Sequence, residues 1–254
     1  MPKRKPLKAV IITQREPFVV PLLLGELLAQ KRDRIATIFI ADDPQAEGLP
    51  ATIRRWASVF DPLTFVRYGV RYVAAKLSGA GPAKVARAHG VPVEEVANIN
   101  APAFLDRLRE MGVDLVISVS CPQIFRKTLL ALPPMGCVNV HAGPLPRYRG
   151  MLPTFWVLYE HEDETAVTVH YMNEALDDGP IILQEAVPIP RGETQANLMR
   201  RCKIVGARLL SQVIDLLEMG EVQTRANPRE DATYYSFPTP KQAREFRAEG
   251  GRWM

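Results

Sequence analysis

Three side-chain types suffice to move an acyl group onto an amine: an amide, an imidazole and a carboxylate. This chain offers them in two segments. Cys137-Val138-Asn139-Val140-His141 reads as a short buried strand that runs into a loop, Ala142 to Gly150, punctuated by Pro144 and Pro146. Asn139 and His141 are two residues apart, so on a strand they point to the same face. Glu174-Ala175-Leu176-Asp177-Asp178-Gly179 then returns carboxylates in a turn, with Asp177 lying 36 positions after His141. An amine attacking a formyl carbonyl needs a group to take its proton and a donor for the developing oxyanion. His141 is the natural proton handler because its reference pKa of about 6.5 lies near neutrality. The Asn139 side-chain NH2 supplies an oxyanion donor of a kind worth about 10²–10³ in rate. An aspartate of the turn holds the imidazole's orientation, favours its charged form or orders a relaying water. Spacing alone leaves both Asp177 and Asp178 open.

The elements that must position this trio follow a recognisable alternation. Leu7 to Thr13 is an apolar run suited to a buried strand, Pro17 opens an amphipathic helix through Leu28, and Ile35 to Ile40 is a second strand. Strand, helix and strand with short joins predict a βαβ unit and a parallel sheet. The turn Gln14-Arg15-Glu16-Pro17 has no glycine, so the dinucleotide fingerprint is missing and a nicotinamide dehydrogenase is not expected. Residues 49–90 form a helical insert whose Trp56, Phe60, Phe65, Tyr68, Tyr72 and Val73 recur at roughly helical spacing and are expected to pack on the sheet, against the alternative that the insert shapes the acceptor pocket or a dimer surface. The alternation resumes with a strand at Val91 to Val96, a helix at Ala101 to Met111 and a strand at Val113 to Ser120. The loop Cys121-Pro122-Gln123-Ile124-Phe125 and His141 both fall at carboxyl ends of strands, where open α/β sheets bind ligands. Thr165 to Tyr171 and Ile181 to Ile189 are strands joined by a short turn and should pair antiparallel. Glu193 to Met219 is a long amphipathic helix. The expected fold is therefore α/β, a Rossmann-like doubly wound sheet, mostly parallel with an antiparallel C-terminal hairpin. Residues 1–220 form its catalytic domain and 221–254 a C-terminal extension with a mobile end.

Bulk properties bound the function. The chain has 254 residues, 47% hydrophobic and 24% charged, the balance of an ordinary globular protein. Its net charge of +4 lies largely in the first eight residues and the last third. No dense basic stripe is interleaved with aromatics, so no nucleic-acid partner is expected. Three cysteines, Cys121, Cys137 and Cys202, have no metal-ligand spacing and cannot pair as an odd set. No metal is expected, and the thiols point to a reducing, cytoplasmic setting. No apolar run approaches the length of a span, so no membrane partner is expected either.

The motifs Val138-Asn139-Val140-His141, Pro144-Leu145-Pro146-Arg147-Tyr148-Arg149-Gly150 and Leu176-Asp177-Asp178-Gly179-Pro180-Ile181-Ile182-Leu183-Gln184 together resemble the formyltransferase family that uses N10-formyltetrahydrofolate as co-substrate. The resemblance runs from about Ala101 to Leu217. It implies that Asn139, His141 and Asp177 are catalytic, Asp177 rather than Asp178 because the family position directly follows the leucine. It also implies a folate pocket on Pro122, Gln123, Ile124 and Phe125 and on Met172, Asn173 and Glu174, contacted through backbone groups. Within the family, serine is frequent where this chain has Gly143.

The resemblance also bounds the acceptor. Methionyl-tRNA members carry a C-terminal barrel, for which the roughly 35 residues after the long helix are too few. Glycinamide ribonucleotide members carry a glycine-bearing phosphate loop after the first strand, unlike Gln14 to Pro17. Formyltetrahydrofolate hydrolases have an N-terminal regulatory domain, which a first strand at Leu7 leaves no room for. The expectation is a stand-alone N-formyltransferase for a small amine, with an amino-sugar nucleotide favoured and a homodimer left open. Arg15, Arg147 and Arg149 are candidates to hold its diphosphate, against the alternative that Arg147 and Arg149 brace the loop. The alternatives are a formyltetrahydrofolate hydrolase and a methionyl-tRNA formyltransferase-like protein with another amine acceptor.

Overall fold

The structure is a computed structural model, described here for residues 6–44 and 46–254. The basic run at residues 1–5 lies outside the described residues. In chain order the elements begin with β1 (Ala9–Thr13), α1 (Val20–Lys31), β2 (Ile35–Ala41), α2 (Leu49–Val59), α3 (Pro62–Leu77) and α4 (Pro82–Ala88). They continue with β3 (Val93–Val96), α5 (Pro102–Met111), β4 (Leu115–Val119), α6 (Lys127–Leu130), β5 (Cys137–His141) and β6 (Arg149–Gly150). The chain ends with α7 (Pro153–Tyr159), β7 (Glu164–Tyr171), β8 (Ile181–Pro188), α8 (Gln195–Met219), β9 (Tyr234–Tyr235) and α9 (Pro240–Ala248).

Seven strands form one sheet in the order β3-β2-β1-β4-β5-β7-β8. The strands from β3 to β5 pair parallel, and β5–β7 and β7–β8 pair antiparallel, as the short turn before β8 requires. The sheet is mixed and doubly wound. Strands β1 and β4 are buried at every position, because helices cover both faces of a parallel sheet. One face carries Ala9, Ile11, Val138 and Val140 against α1, α7 and α8; the other carries Val10, Ile12 and Cys137 against α5 and Leu129 of α6. Asn139 and His141 share the parity of Cys137, so they belong to the second face. No helix among the described residues is long and apolar enough to cross a membrane.

Three local expectations change. Helix α1 begins at Val20, with Pro21 in its first turn, instead of at Pro17. The Glu16 carboxylate accepts from the backbone N–H groups of Phe18, Val19 and Val20 at 2.7, 2.7 and 2.8 Å, which satisfies donors that a helix start leaves unpaired. The insert's aromatics Trp56, Phe60 and Tyr68 meet one another and the C-terminal extension, with Trp56 5.2 Å from Phe237 and Phe60 5.2 Å from Trp253, while Tyr72 and Val73, expected to pack inward, are exposed.

The extension itself does not end loosely. Strand β9 pairs parallel with β6, Thr239 and Gln242 close a capping box on α9, and Trp253 is buried against Phe155 at 4.9 Å. The carbonyls of Arg252 and Trp253 accept from the N–H groups of Gln195 and Ala196, each at 2.9 Å. The chain's end thus caps the start of α8. A polar composition hid this, because only a few buried residues, Ala243, Phe246 and Trp253, and a few backbone bonds anchor the segment.

Candidate functional site

The structure brings the three residues of the trio together. Asn139 and His141 stand on one face of β5, and Asp177 enters from the turn before β8. Asp177 Oδ2 is 3.5 Å from His141 Nδ1 and accepts the Gly150 N–H at 2.9 Å. Its Oδ1 accepts from Asn139 Nδ2 at 3.4 Å. His141 Nε2–H donates to the Tyr148 carbonyl at 2.7 Å. That bond fixes the tautomer of a neutral imidazole and leaves the Nδ1 lone pair on the Asp177 side.

A fourth polar residue, His170, joins them. It sits opposite Asn139 across the antiparallel β5–β7 pair, next to a register shift at Val169/His170. Its Nε2 lies 3.3 Å from Asn139 Nδ2 and 3.6 Å from Asp177 Oδ1, and its Nδ1–H donates to the Tyr171 carbonyl at 2.7 Å. The Asn139 NH2 therefore faces two internal acceptors, both at long distance. The sequence shows His170 only as the polar end of an alternating run. Its role depends on the strand pairing, which the run does not specify.

Burial pushes the His141 imidazole pKa below its usual value. The Asp177 charge and the Tyr148 carbonyl pull it up only in part, and Lys203 adds a smaller push downward. Lys203 is a buried lysine of α8 whose Nζ donates to Ser120 Oγ at 2.8 Å, and burial lowers its own pKa. For Asp177 burial acts upward, but His141, His170 and the Gly150 N–H outweigh it and hold the carboxyl well below the usual range. Burial thus disfavours the charged form of His141, and the groups around Asp177 favour its ionised form. A proton arriving at Nδ1 meets that charge directly.

The neighbouring Asp178 faces a different set of partners. Arg149, fully buried, reaches Asp178 with Nη1, which also donates to the Tyr234 hydroxyl at 2.8 Å. Arg149 Nη2 donates to Asn227 Oδ1 at 2.9 Å, and Arg229 Nη2 closes on Asp178 at 2.8 Å. Asn227 Nδ2 in turn donates to the carbonyls of Asp177 and Gly179 at 2.9 and 3.0 Å, which clamps the turn. The Arg229 bond leads the interactions that hold the Asp178 carboxyl below its usual range. Gly179 is required by close approach, since a Cβ there would lie 1.9 Å from the Tyr171 carbonyl oxygen. Arg149 is consequently a brace for the loop. Of the other two arginines weighed for a diphosphate, Arg147 pairs with Glu162 at 2.9 Å and Arg15 with Glu95 at 3.0 Å, all on or near the surface.

Gly143 has a positional reason as well. A Cβ there would come within 2.8 Å of His141 Nε2 and 3.1 Å of Pro153 Cβ. Its carbonyl accepts from Thr168 Oγ1 at 2.7 Å, and Gln184 Nε2 ties Thr168 to the Leu145 carbonyl. The Leu145–Pro146 bond in this loop is cis.

The two segments expected to hold the folate meet on the second core face, where buried Phe125 and half-buried Met172 belong to one apolar cluster. The Gln123 side chain fastens its loop by donating to the carbonyls of Asp42 and Ala97 at 2.7 and 2.9 Å and accepting from Ile99 N–H at 3.0 Å. Asn173 Nδ2 donates to Asp178 at 3.1 Å, while Glu174 is exposed. Pro122 is half-buried and Ile124 is 77% exposed, so the loop presents an apolar side chain beside fixed backbone groups. That combination fits a flat heteroaromatic ring. No group of three or more potential metal ligands occurs among the described residues.

Comparison with known proteins adds the family. The formyl transferase domain model matches residues 74–214, more than half of the chain. The methionyl-tRNA formyltransferase of Syntrophus aciditrophicus is 44% identical over 164 residues, 64% of this chain and 52% of that protein. The chain spans about half the length of the curated relatives it matches. Those relatives are named for a tRNA substrate, so the expectation of no nucleic-acid partner finds no support in them. Among solved structures, glycinamide ribonucleotide transformylase 1 from Symbiobacterium toebii is similar with a TM-score of 0.63 and 22% identity over 87% of this chain and 92% of that one. A sugar N-formyltransferase from a Shewanella species is similar with a TM-score of 0.61 and 19% identity over 95% and 87%. At such identities the likeness concerns the fold. The domain match, spanning the trio and both candidate folate loops, shows that the chain belongs to the formyl transferase family.

Proposed function

We propose that the protein transfers a formyl group from N10-formyltetrahydrofolate to the amino group of a small acceptor. The observation that carries this reading is the convergence of Asn139 and His141 on one carboxylate at the carboxyl edge of the sheet, at 3.4 and 3.5 Å from Asp177. The folate supplies the activated formyl group; Pro122 to Phe125 and Met172 to Glu174 would hold it through backbone groups and apolar surface. His141, neutral and donating through Nε2 to Tyr148, takes the amine's proton at Nδ1 as the acceptor nitrogen bonds the formyl carbon, and returns a proton to N10 of the folate as the formyl C–N10 bond breaks. Asp177 stays ionised and stabilises the imidazolium so formed. The Asn139 N–H that leaves Asp177 or His170 meets the oxyanion.

For the acceptor, an amino-sugar nucleotide is the favoured class. Its support is that a sugar N-formyltransferase matches the fold over 95% of this chain, extension included. The amide groups at the start of α1 are filled by Glu16, so an acceptor phosphate is held elsewhere. A second reading, the aminoacyl end of a tRNA, is favoured by the names of the curated relatives. The experiment is incubation with N10-formyltetrahydrofolate and a panel of amino-sugar nucleotides, with methionyl-tRNA in a parallel arm. Formylated sugar nucleotide is the expected product. Fast formate release without any amine would make the protein a hydrolase and overturn the transfer reading.

A further inference from the structure

Helix α3 contributes no buried residue to the protein, although it is sixteen residues long. Leu63, Val66, Val70, Val73 and Leu77 are each between 56% and 84% exposed. Their spacing alternates three and four, so at about 100° per residue they form one stripe roughly 80° wide. The opposite side of the helix holds Phe65 and Tyr68, which pack on the core; Tyr68 meets the rings of Phe18, Trp56 and Phe60. The stripe therefore faces directly away from the body. Scattered exposed aliphatics are ordinary, but five in register on one helix face mark a surface built to be covered.

Charge identifies what covers it. Residues 49–90 contain seven lysines and arginines against one acid, Asp61, a local net charge of +6. The whole chain is +4, so the remaining residues are net −2. Exposed Arg67 lies along one edge of the stripe and exposed Lys76 along the other, with exposed Arg54 on the adjoining α2, where Arg55 is already paired with Glu47 at 3.7 Å. A second copy of this chain on the same stripe would set +6 against +6. An anionic surface is complementary, and an apolar ridge that projects outward suits a fluid layer, which needs no preformed groove. Long basic side chains at the ridge's edges keep their charge at the headgroups while their stems remain apolar.

We infer that α3 lies in the headgroup region of an anionic lipid bilayer, inserting the Leu63–Leu77 stripe while Arg67, Lys76 and Arg54 engage acidic lipids. The helix is tied to the loop after β1 through Phe18, whose ring also lies under Arg71, so it docks from the sheet edge that carries the crevice. Such docking is peripheral and requires no membrane span. It is also independent of which amine is formylated.

Sedimentation of the full chain with vesicles tests this. Vesicles of equal parts phosphatidylcholine and phosphatidylglycerol should carry the protein down, pure phosphatidylcholine should not, and added salt should weaken the binding. The double variant Val66→Ser, Val73→Ser should lower partitioning about tenfold or more with an unchanged melting temperature, because both side chains are exposed. Arg67→Glu with Lys76→Glu should do the same. Absence of wild-type binding to the anionic vesicles overturns the inference and leaves the stripe to a protein partner. Binding lost with the arginine and lysine reversals but kept by the serine variant also overturns it, since the stripe would then not insert. A vesicle-free dimer that Val70→Glu converts to a monomer would assign the stripe to a second copy.

Discussion

The turn that ends at Gly179 and the helical insert at residues 49–90 are organised on opposite principles. In the turn, the polar groups of Asp177 and Asp178 are committed several times over: to Asn139, His141, His170 and the Gly150 N–H on one side, and to Arg149, Arg229 and Asn173 on the other. In the insert, α3 exposes a full stripe of aliphatic side chains and commits none of them to the protein. The two adjacent aspartates face different partners across a turn in which Asp177 holds a positive φ of 49°. Buried polar groups that are over-determined position chemistry. Apolar groups left without partners position the molecule against something else.

The largest effects should fall on the Asp177 side of the turn. His141→Ala and Asp177→Ala are expected to lower turnover by about 10²–10⁴ while the melting temperature stays near wild type, measured by formyl transfer and thermal denaturation. Asn139→Ala should cost about 10²–10³. Near wild-type turnover in His141→Ala would remove the imidazole from the mechanism. The Asp178 side should respond in the other observable. Asp178→Ala leaves the fully buried Arg149 guanidinium without its counter-ion, a change that typically costs about 3–5 kcal/mol of stability in denaturant titrations. Variants at Asp178 that keep the fold but abolish turnover as fully as Asp177→Ala would erase the distinction between the two aspartates.

That distinction explains how much could be read in advance. The parallel sheet was legible because β1, β2 and β4 are unbroken Val- and Ile-rich runs with short joins, and Asn139 and His141 were paired by strand parity alone. The choice of Asp177 rested on resemblance, since spacing cannot say which of two neighbours a turn directs inward. His170 was not legible, because its place depends on the β5–β7 register and the shift beside it. Nor was the docked chain end, where Trp253 acts through one buried ring and the carbonyls beside it. The α3 stripe was hidden for a further reason: helical periodicity records that one face is apolar but not whether that face turns toward the body.

A smaller effect concerns pH. Burial lowers the His141 pKa, while the Asp177 charge raises it. If the neutral imidazole is the base, transfer falls as pH drops through a value below about 6.5, the ordinary histidine value. Asp177→Asn removes the raising charge, so the same limb in kcat/KM should move further toward acid in the residual activity. Comparing the two proteins with one acceptor cancels the acceptor amine's own titration. A limb that stays in place, or moves toward alkaline pH, would mean that the carboxylate and the imidazole do not act as a pair.

The smallest effect is expected in the insert, and there the near-absence of change is the informative result. Val70→Ser replaces a side chain that is 64% exposed, so unfolding in denaturant should shift by no more than about 0.5 kcal/mol. Turnover with soluble acceptors should be unchanged, since the stripe faces away from the crevice. A loss of 2 kcal/mol or more, on the order of a core truncation, would show that the stripe is covered in solution by this chain or a copy of it. The contrast between a turn that consumes its polar groups internally and a helix that reserves its apolar ones for an outside surface would then collapse.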